Sequence, residues 1–456
     1  MEISGDDIAE AVLRHFDKWP AKRKPLVRSD GAKEWVPLSG IVARDQQGRL
    51  TCLAAATGMK CLSQNKISQA QGVTIHDWHA EILAIRSFNR TLLQECDSLV
   101  KSNDASNQFV RRRCRDEQTE SHFQPFALND GISFHMYCSE APCGDASMEL
   151  TMAAQEDSTP WELPALSNSL PSSPSPSNPP PLLHGRGYFS ALGQVRGKPS
   201  RPDAPPTLSK SCSDKLALKQ STSLLSSITS LLISPQNAYL TSLVLPSSQY
   251  SETACTRAFS STGRLSPLKG RIWEGGYHFQ EFKVLTTNKE FPYSRRQVLK
   301  SGEKLVPSNI ASLSELHLND TETLIGGTLQ GRKQFSLPGA SRVCKRRMWQ
   351  FALSIAAISC RNLLTDLDRR RSENVDRAGE ILEGVASKNA ENEKMLLGDH
   401  PVVQCLKSGT YAEVKEGKLL GERRKVKRET REMALKGWVR NTGGEDFGSN
   451  EFVGGK

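Results

Sequence analysis

The sequence predicts an α/β fold, a mixed sheet with helices packed on it, and three observations carry that expectation. Residues 35–42 and 50–55 read as a strand pair, separated by the turn-forming Asp45-Gln46-Gln47-Gly48. Ile132, Phe134, Met136 and Cys138 alternate with Ser133, His135 and Tyr137 in the pattern of a half-buried strand, and Pro142 stands where a following helix would begin. Two helices have apolar stripes. Residues 6–16 place Ile8, Val12 and Leu13 on one side, ahead of a basic, proline-containing turn at 18–25, and residues 71–77 lead into a helix carrying His79 with Ala84, Phe88 and Leu92 at helical spacing.

The organisation is one domain with interruptions, expected over residues 1–447 with a flexible tail at 448–456. Residues 167–181, rich in serine and proline, cannot bury enough apolar surface to offset ordering and are expected to be a disordered insert. The net charge of the 456 residues is +10 with a pI of about 9.0. That balance suits an anionic partner, a suggestion sharpened by the runs Lys345-Arg346-Arg347 and Arg423-Arg424-Lys425-Val426-Lys427-Arg428. Eleven cysteines are an odd number, and the opening Met1-Glu2-Ile3-Ser4-Gly5-Asp6 lacks a basic-then-apolar secretory pattern, so reduced thiols and an intracellular setting, nucleus or cytoplasm, are expected. No membrane association is expected, because even residues 224–245 are broken by serines, Pro235 and Asn237.

Three separated pieces carry chemistry: His79-Ala80-Glu81, Pro142-Cys143, and Cys212 within Ser211-Cys212-Ser213-Asp214-Lys215. A histidine and two thiolates hold Zn²⁺ with a fourth position open to water, and a glutamate two residues after the histidine moves protons without being a ligand. Together the pieces read as a nucleobase deaminase. Asp77 is placed to cap the helix that begins near His79, and Cys143 to occupy a second helix start, where a thiol's pKa falls. Compact cytidine and tRNA-wobble deaminases take the third ligand from Pro-Cys-x-x-Cys, but Ala146 stands at that place here. Cys212 is the candidate, and spacing leaves Cys138, Cys96 and Cys61 open beside it.

These motifs resemble the deaminase domain shared by the adenosine deaminases acting on RNA and the tRNA-specific adenosine deaminases. The stretches that carry the likeness are His79-Ala80-Glu81-Ile82, Ser139 to Ser147 (Ser-Glu-Ala-Pro-Cys-Gly-Asp-Ala-Ser) and Lys210-Ser211-Cys212-Ser213-Asp214-Lys215. Thr57-Gly58-Met59-Lys60-Cys61, Arg196-Gly197-Lys198, Ser341-Arg342-Val343-Cys344-Lys345 and Gly437-Trp438-Val439 agree in order. The likeness is greatest to the fungal-type tRNA enzymes, which make inosine just 3′ of the anticodon, at position 37 of an alanine tRNA. It implies a cytidine-deaminase-like sheet with a largely helical C-terminal part, zinc ligation by His79, Cys143 and Cys212, Glu81 as proton shuttle, and Lys60 as a substrate contact. tRNA is then the partner, with no DNA, and a monomer is expected.

The resemblance also implies a buried inositol hexakisphosphate, touched by Arg86, Lys215, Lys345, Tyr411, Lys415 and Trp438, with Asp77 and Lys198 as a polar relay toward the zinc site. Two positions depart from the family pattern, where Ile85 and Leu218 replace arginines. His76, His135 and His278 read as structural histidines, and Gly275-Gly276 and Gly326-Gly327 as turn glycines. Three functions compete. An RNA adenosine deaminase of the tRNA type leads, with another structured RNA adenosine as its variant. A deaminase of free nucleosides or cytosine would need far fewer residues and no basic surface, and a non-catalytic RNA-binding partner subunit would have no use for Glu81.

Overall fold

A computed structural model describes residues 3–159, 183–184, 187–198, 205–300, 304–317, 320–378 and 400–448. The insert expected at 167–181 and the tail after residue 448 lie outside the described residues. Eight strands make the main sheet: β1 (Leu38–Arg44), β2 (Leu50–Thr57), β3 (Ser133–Cys138), β4 (Leu240–Pro246), β5 (Lys283–Thr287), β6 (Ala311–Glu315), β7 (Glu322–Ile325) and β8 (Thr328–Leu329). Their order is β5-β4-β3-β1-β2-β6-β7-β8. The β3–β4 and β4–β5 pairs are parallel and the rest antiparallel, so the sheet is mixed as expected. Parallel neighbours need crossovers. The first contains helix α3 (Cys212–Thr222) and the second the helix Glu252–Phe259.

Alternation along β1 explains the layers. Ile41 and Ala43 join the cluster that includes Leu83, Phe88 and Leu92 of helix α2 (Ala80–Ser102), whereas Leu38 and Val42 join Ile8, Val12 and Phe16 of helix α1 (Gly5–Asp17). The sheet is therefore sandwiched. This corrects the half-buried reading of β3: five of its six residues are buried, because the strand lies inside the sheet and both faces are covered. Its polar His135 bonds Ser242 at 2.8 Å and Ser133 at 3.0 Å, the usual condition for a buried polar group.

Helix α1 starts where Ser4 accepts from the Asp7 amide at 3.1 Å. Helix α2 carries the start of the site, and its fully buried Phe88 meets Phe134 of β3 edge-on, with ring centroids 5.0 Å apart. Phe88→Ala should cost about 3–5 kcal/mol, read as a lowered midpoint in denaturant. The C-terminal part is helical as expected: α4 (Lys345–Ala378), Pro401–Leu406, Tyr411–Glu416 and α5 (Gly421–Met433). Gly326 and Gly327, with φ of 60° and 78°, form the turn between β7 and β8, a conformation that favours glycine.

Candidate metal centre and active site

The first wall of the site is the entry to α2. The Ala80 amide donates to the Gly58 carbonyl at 2.9 Å and the Trp78 amide to the Lys60 carbonyl at 3.0 Å, which lays the Thr57 to Cys61 segment alongside His79. Gly58 has φ of 143°, and a Cβ there would stand 2.1 Å from the Trp78 carbonyl oxygen, so only glycine allows the approach. His79 is the residue just before the helix, and Glu81 lies in its first turn.

Asp77 does not cap α2 as expected. Its Oδ1 accepts from the His79 amide at 3.1 Å and lies 2.9 Å from His79 Nδ1, while its other contacts run to Lys198 Nζ (2.9 Å), Ser209 Oγ (2.7 Å) and Lys215 Nζ. Burial pushes the Asp77 carboxyl up, but Lys198, Lys215 and His79 outweigh it and hold the group well below the usual carboxylate range. A carboxylate on Nδ1 fixes the ring and leaves Nε2 as the free donor, the arrangement typical of a metal-binding histidine.

The second wall is an interlock between two loops far apart in sequence. Ser211 caps α3, accepting from the Asp214 amide at 3.1 Å, so Cys212 opens the helix. The Cys212 amide donates to Cys143 Sγ at 3.3 Å, and Ser213 Oγ donates to the Pro142 and Cys143 carbonyls at 2.9 and 3.0 Å. Gly144, with φ of 105°, permits this contact, since a Cβ there would meet Ser211 Oγ at 2.3 Å. Cys143 itself does not begin a helix: a 3₁₀ turn, Asp145–Ser147, and the short helix Met148–Ala153 follow it. The helix start beside its sulfur is that of α3, because the turn at Gly144 intervenes within its own segment.

Cys143 Sγ feels both the Cys212 thiol and the His79 ring as neighbours. Cys212, with Lys198 and His79, draws the Cys143 thiol well below its ordinary range, while burial holds Cys212 up. Lys198 Nζ, 3.2 Å from Cys212 Sγ and 2.9 Å from Asp77, ties the two walls together. Glu81 is 6% exposed, and burial, then the charge of Cys143, pushes its carboxyl up.

The other cysteines separate by position. Cys96 is fifteen residues beyond Glu81 on α2, roughly 22 Å along the helix axis. Cys138 ends β3 beneath the site and takes a bond from Ser39 Oγ at 3.3 Å. Cys61 Sγ comes within 3.6 Å of His79 Nδ1, and with Asp77 and His79 it forms a group whose donor atoms lie within 4.8 Å of one another. An ion there would face the two ammonium groups already on Asp77. Lys60, at the rim, bonds Asn309 Oδ1 at 2.5 Å.

Below the site lies a crowd of cations. Arg86, whose guanidinium donates to the Val343 carbonyl at 3.0 Å, feels the charges of Lys219 and Lys345; Lys345 in turn feels Lys415, and Lys427 feels Arg423, Lys415 and Lys219. Burial, with the neighbouring positive charges, pushes Lys345 down to about 8 and Lys219 and Lys427 well below the usual lysine range. Tyr411 is buried against Lys345, with Nζ 5.6 Å from its ring centroid, and Trp438 is covered by Arg431 at 4.9 Å. Of the residues expected here, Arg86, Lys345, Tyr411 and Lys415 are together, while Lys215 points to Asp77 and Trp438 stands against Arg431.

Lys219, Arg423 and Lys427 were not expected in this cation cluster, nor Arg431 beside it. The last three recur at every fourth residue of α5, one face of a helix, and that spacing was the available signal. The basic runs that suggested an anionic partner are thus partly internal. Arg346 is also fully buried, donating to the Gln71 carbonyl at 3.2 Å, and only Arg347 of its run is exposed. His278 packs against Tyr239 with centroids 4.4 Å apart and the rings tilted by 47°, in keeping with a structural role. No helix among the described residues is long and apolar enough to cross a membrane.

The chain belongs to the adenosine-deaminase (editase) domain family, whose profile matches residues 54–442, and it is a hydrolytic adenosine deaminase. Within that family it is similar to tRNA-specific adenosine deaminase 1 of Schizosaccharomyces pombe, 37% identical over 349 residues, 75% of this chain and 84% of that protein. It is 32% identical over 232 residues to tRNA-specific adenosine deaminase 1 of Saccharomyces cerevisiae, 48% of this chain and 53% of that one. A shorter match, 29% over 150 residues, joins 32% of the chain to 20% of the double-stranded RNA-specific editase Adar of Drosophila melanogaster.

Proposed function

We propose that this protein is a zinc-dependent tRNA adenosine deaminase that converts the adenosine 3′ of the anticodon, position 37 of an alanine tRNA, to inosine. The observation that carries the zinc site is the meeting of His79, Cys143 and Cys212 from three distant segments beside a buried Glu81. Two sulfurs and an imidazole whose Nδ1 is tied to Asp77 fit zinc with one position left open. When bound, zinc lowers the pKa of water toward neutrality and so supplies a nucleophile.

The chain's own groups do the rest. Glu81, kept from bulk water, takes a proton from the attacking water as it adds to C6 of adenine, protonates the ring nitrogen, and passes a proton to the departing ammonia. Its raised pKa suits a group that must hold a proton between those transfers. The Asp77–Lys198 pair orients His79 and faces Cys212 with a positive charge that favours its thiolate. C6 of a stacked adenine is inaccessible, so a base displayed in an anticodon loop is the least costly substrate, and Lys60 at the rim is placed to meet a phosphate.

The cation crowd supports inositol hexakisphosphate as a buried partner. Cations massed together repel one another unless an anion joins them; burial first, and the neighbouring positive charges after it, push these lysines down, and a polyanion would offset both.

The test is incubation of the protein with a full-length alanine tRNA carrying adenosine at position 37, beside free adenosine and the same tRNA with guanosine there, followed by nucleoside analysis. Inosine at that position alone is expected. Inosine from free adenosine, or at another tRNA site, would contradict the assignment.

A further inference from the structure

We propose that Glu445 sets how tightly the cationic cavity holds its polyphosphate, as a carboxylate of the chain's own C-terminal segment standing where that anion binds; this rests on reading the cavity as a polyphosphate site. Lys345 Nζ lies 3.1 Å from Glu445 Oε1, and Lys415 Nζ lies 2.5 Å from Oε2. Among the described residues it is the one carboxylate bonded to any of Arg86, Lys219, Lys345, Lys415, Arg423 and Lys427.

The backbone delivers it there. The Ala412 amide donates to the Glu445 carbonyl at 3.0 Å and the Tyr411 amide to the Phe447 carbonyl at 2.9 Å. Phe447 stacks on Tyr411 with centroids 5.1 Å apart and rings 16° from parallel. The segment is thus pinned to the same helix that carries Lys415, and the carboxylate's place is part of the fold.

One carboxylate cannot neutralise six cations, so the cavity still calls for an anion. Each phosphate that approaches Lys345 and Lys415 must nevertheless share their donors with Glu445 and face its negative charge. Glutamine keeps the shape and one carbonyl acceptor, turns an amide N–H toward the other ammonium group, and removes that repulsion. Glu445→Gln should therefore release the polyphosphate about tenfold more slowly, the size of one screened like-charge contact.

The experiment compares the intact wild-type and Glu445→Gln proteins, each loaded with inositol hexakisphosphate and passed through gel filtration at rising salt. The inositol hexakisphosphate freed from the recovered protein on acid denaturation is then counted per chain. The variant is expected to keep its ligand to higher salt, and Glu445→Asp, which keeps the charge but draws it back by a methylene, to fall between it and wild type. Either variant losing ligand at the same salt as wild type, or sooner, would overturn the proposal, since Glu445 would then merely brace the two lysines. A wild-type protein that takes up no inositol hexakisphosphate would overturn the cavity reading, and the inference with it.

Discussion

Glu81→Gln is expected to slow deamination by about 10³-fold or more while the protein keeps one zinc per chain. General acid–base groups contribute about 10² to 10⁴ in rate, and here one carboxylate serves every proton transfer, so the upper part of that range applies. The substitution is nearly isosteric. Glu81 is buried in the first turn of α2, among groups that set the two walls of the site, and glutamine preserves that packing. It makes none of the bonds that position His79, Cys143 or Cys212. Zinc content by plasma emission and single-turnover inosine formation check the two halves separately. Rapid deamination by the variant would remove Glu81 from the mechanism, and loss of zinc would make it part of the metal centre.

Cys212→Ala is expected to abolish both zinc and activity, whereas Cys61→Ser should leave zinc content near that of wild type. One sulfur packs against Cys143 and the other against His79, so the pair of variants separates two geometries. Cys212 lies against Cys143, its amide donating to Cys143 Sγ at 3.3 Å, and Lys198 balances the charge of a second thiolate. Cys61 approaches Nδ1, the nitrogen already occupied by Asp77, whose two lysine neighbours oppose a further cation. Removing Cys212 leaves two protein donors, too few to retain zinc against dilution. Zinc retained in Cys212→Ala and lost in Cys61→Ser would reverse the ligand assignment.

The contrast between what the sequence disclosed and what it withheld follows the range of the interactions. Local patterns were legible: the stripe of Ile8 and Val12 found α1, the alternation through Phe134 and Met136 found β3, and glycine pairs marked turns. The ligand motifs were legible because His-x-Glu, Pro-Cys and Ser-Cys-Ser-Asp each keep a fixed local form. What failed was long-range. Asp77 reads locally as a cap, yet the helix begins at Ala80 with His79 in the cap position, and the Asp77 carboxylate serves the His79 ring and Lys198, 121 residues away. Cys143 reads as a helix start, but the turn at Gly144 that brings it against Ser211 prevents the helix from beginning there. The charge runs pointed to an anionic partner without showing which side chains turn inward, because no local rule says which way a lysine points; the fourfold spacing of Arg423, Lys427 and Arg431 carried that information.

The most direct test of the central claim, that three dispersed residues form one catalytic zinc centre, is zinc K-edge X-ray absorption on the purified wild-type protein. The account predicts one zinc per chain with two sulfur scatterers at about 2.3 Å and a nitrogen or oxygen shell at about 2.0–2.1 Å that includes one imidazole. Three sulfurs, which would bring in Cys61, or a shell of oxygen and nitrogen alone would contradict it.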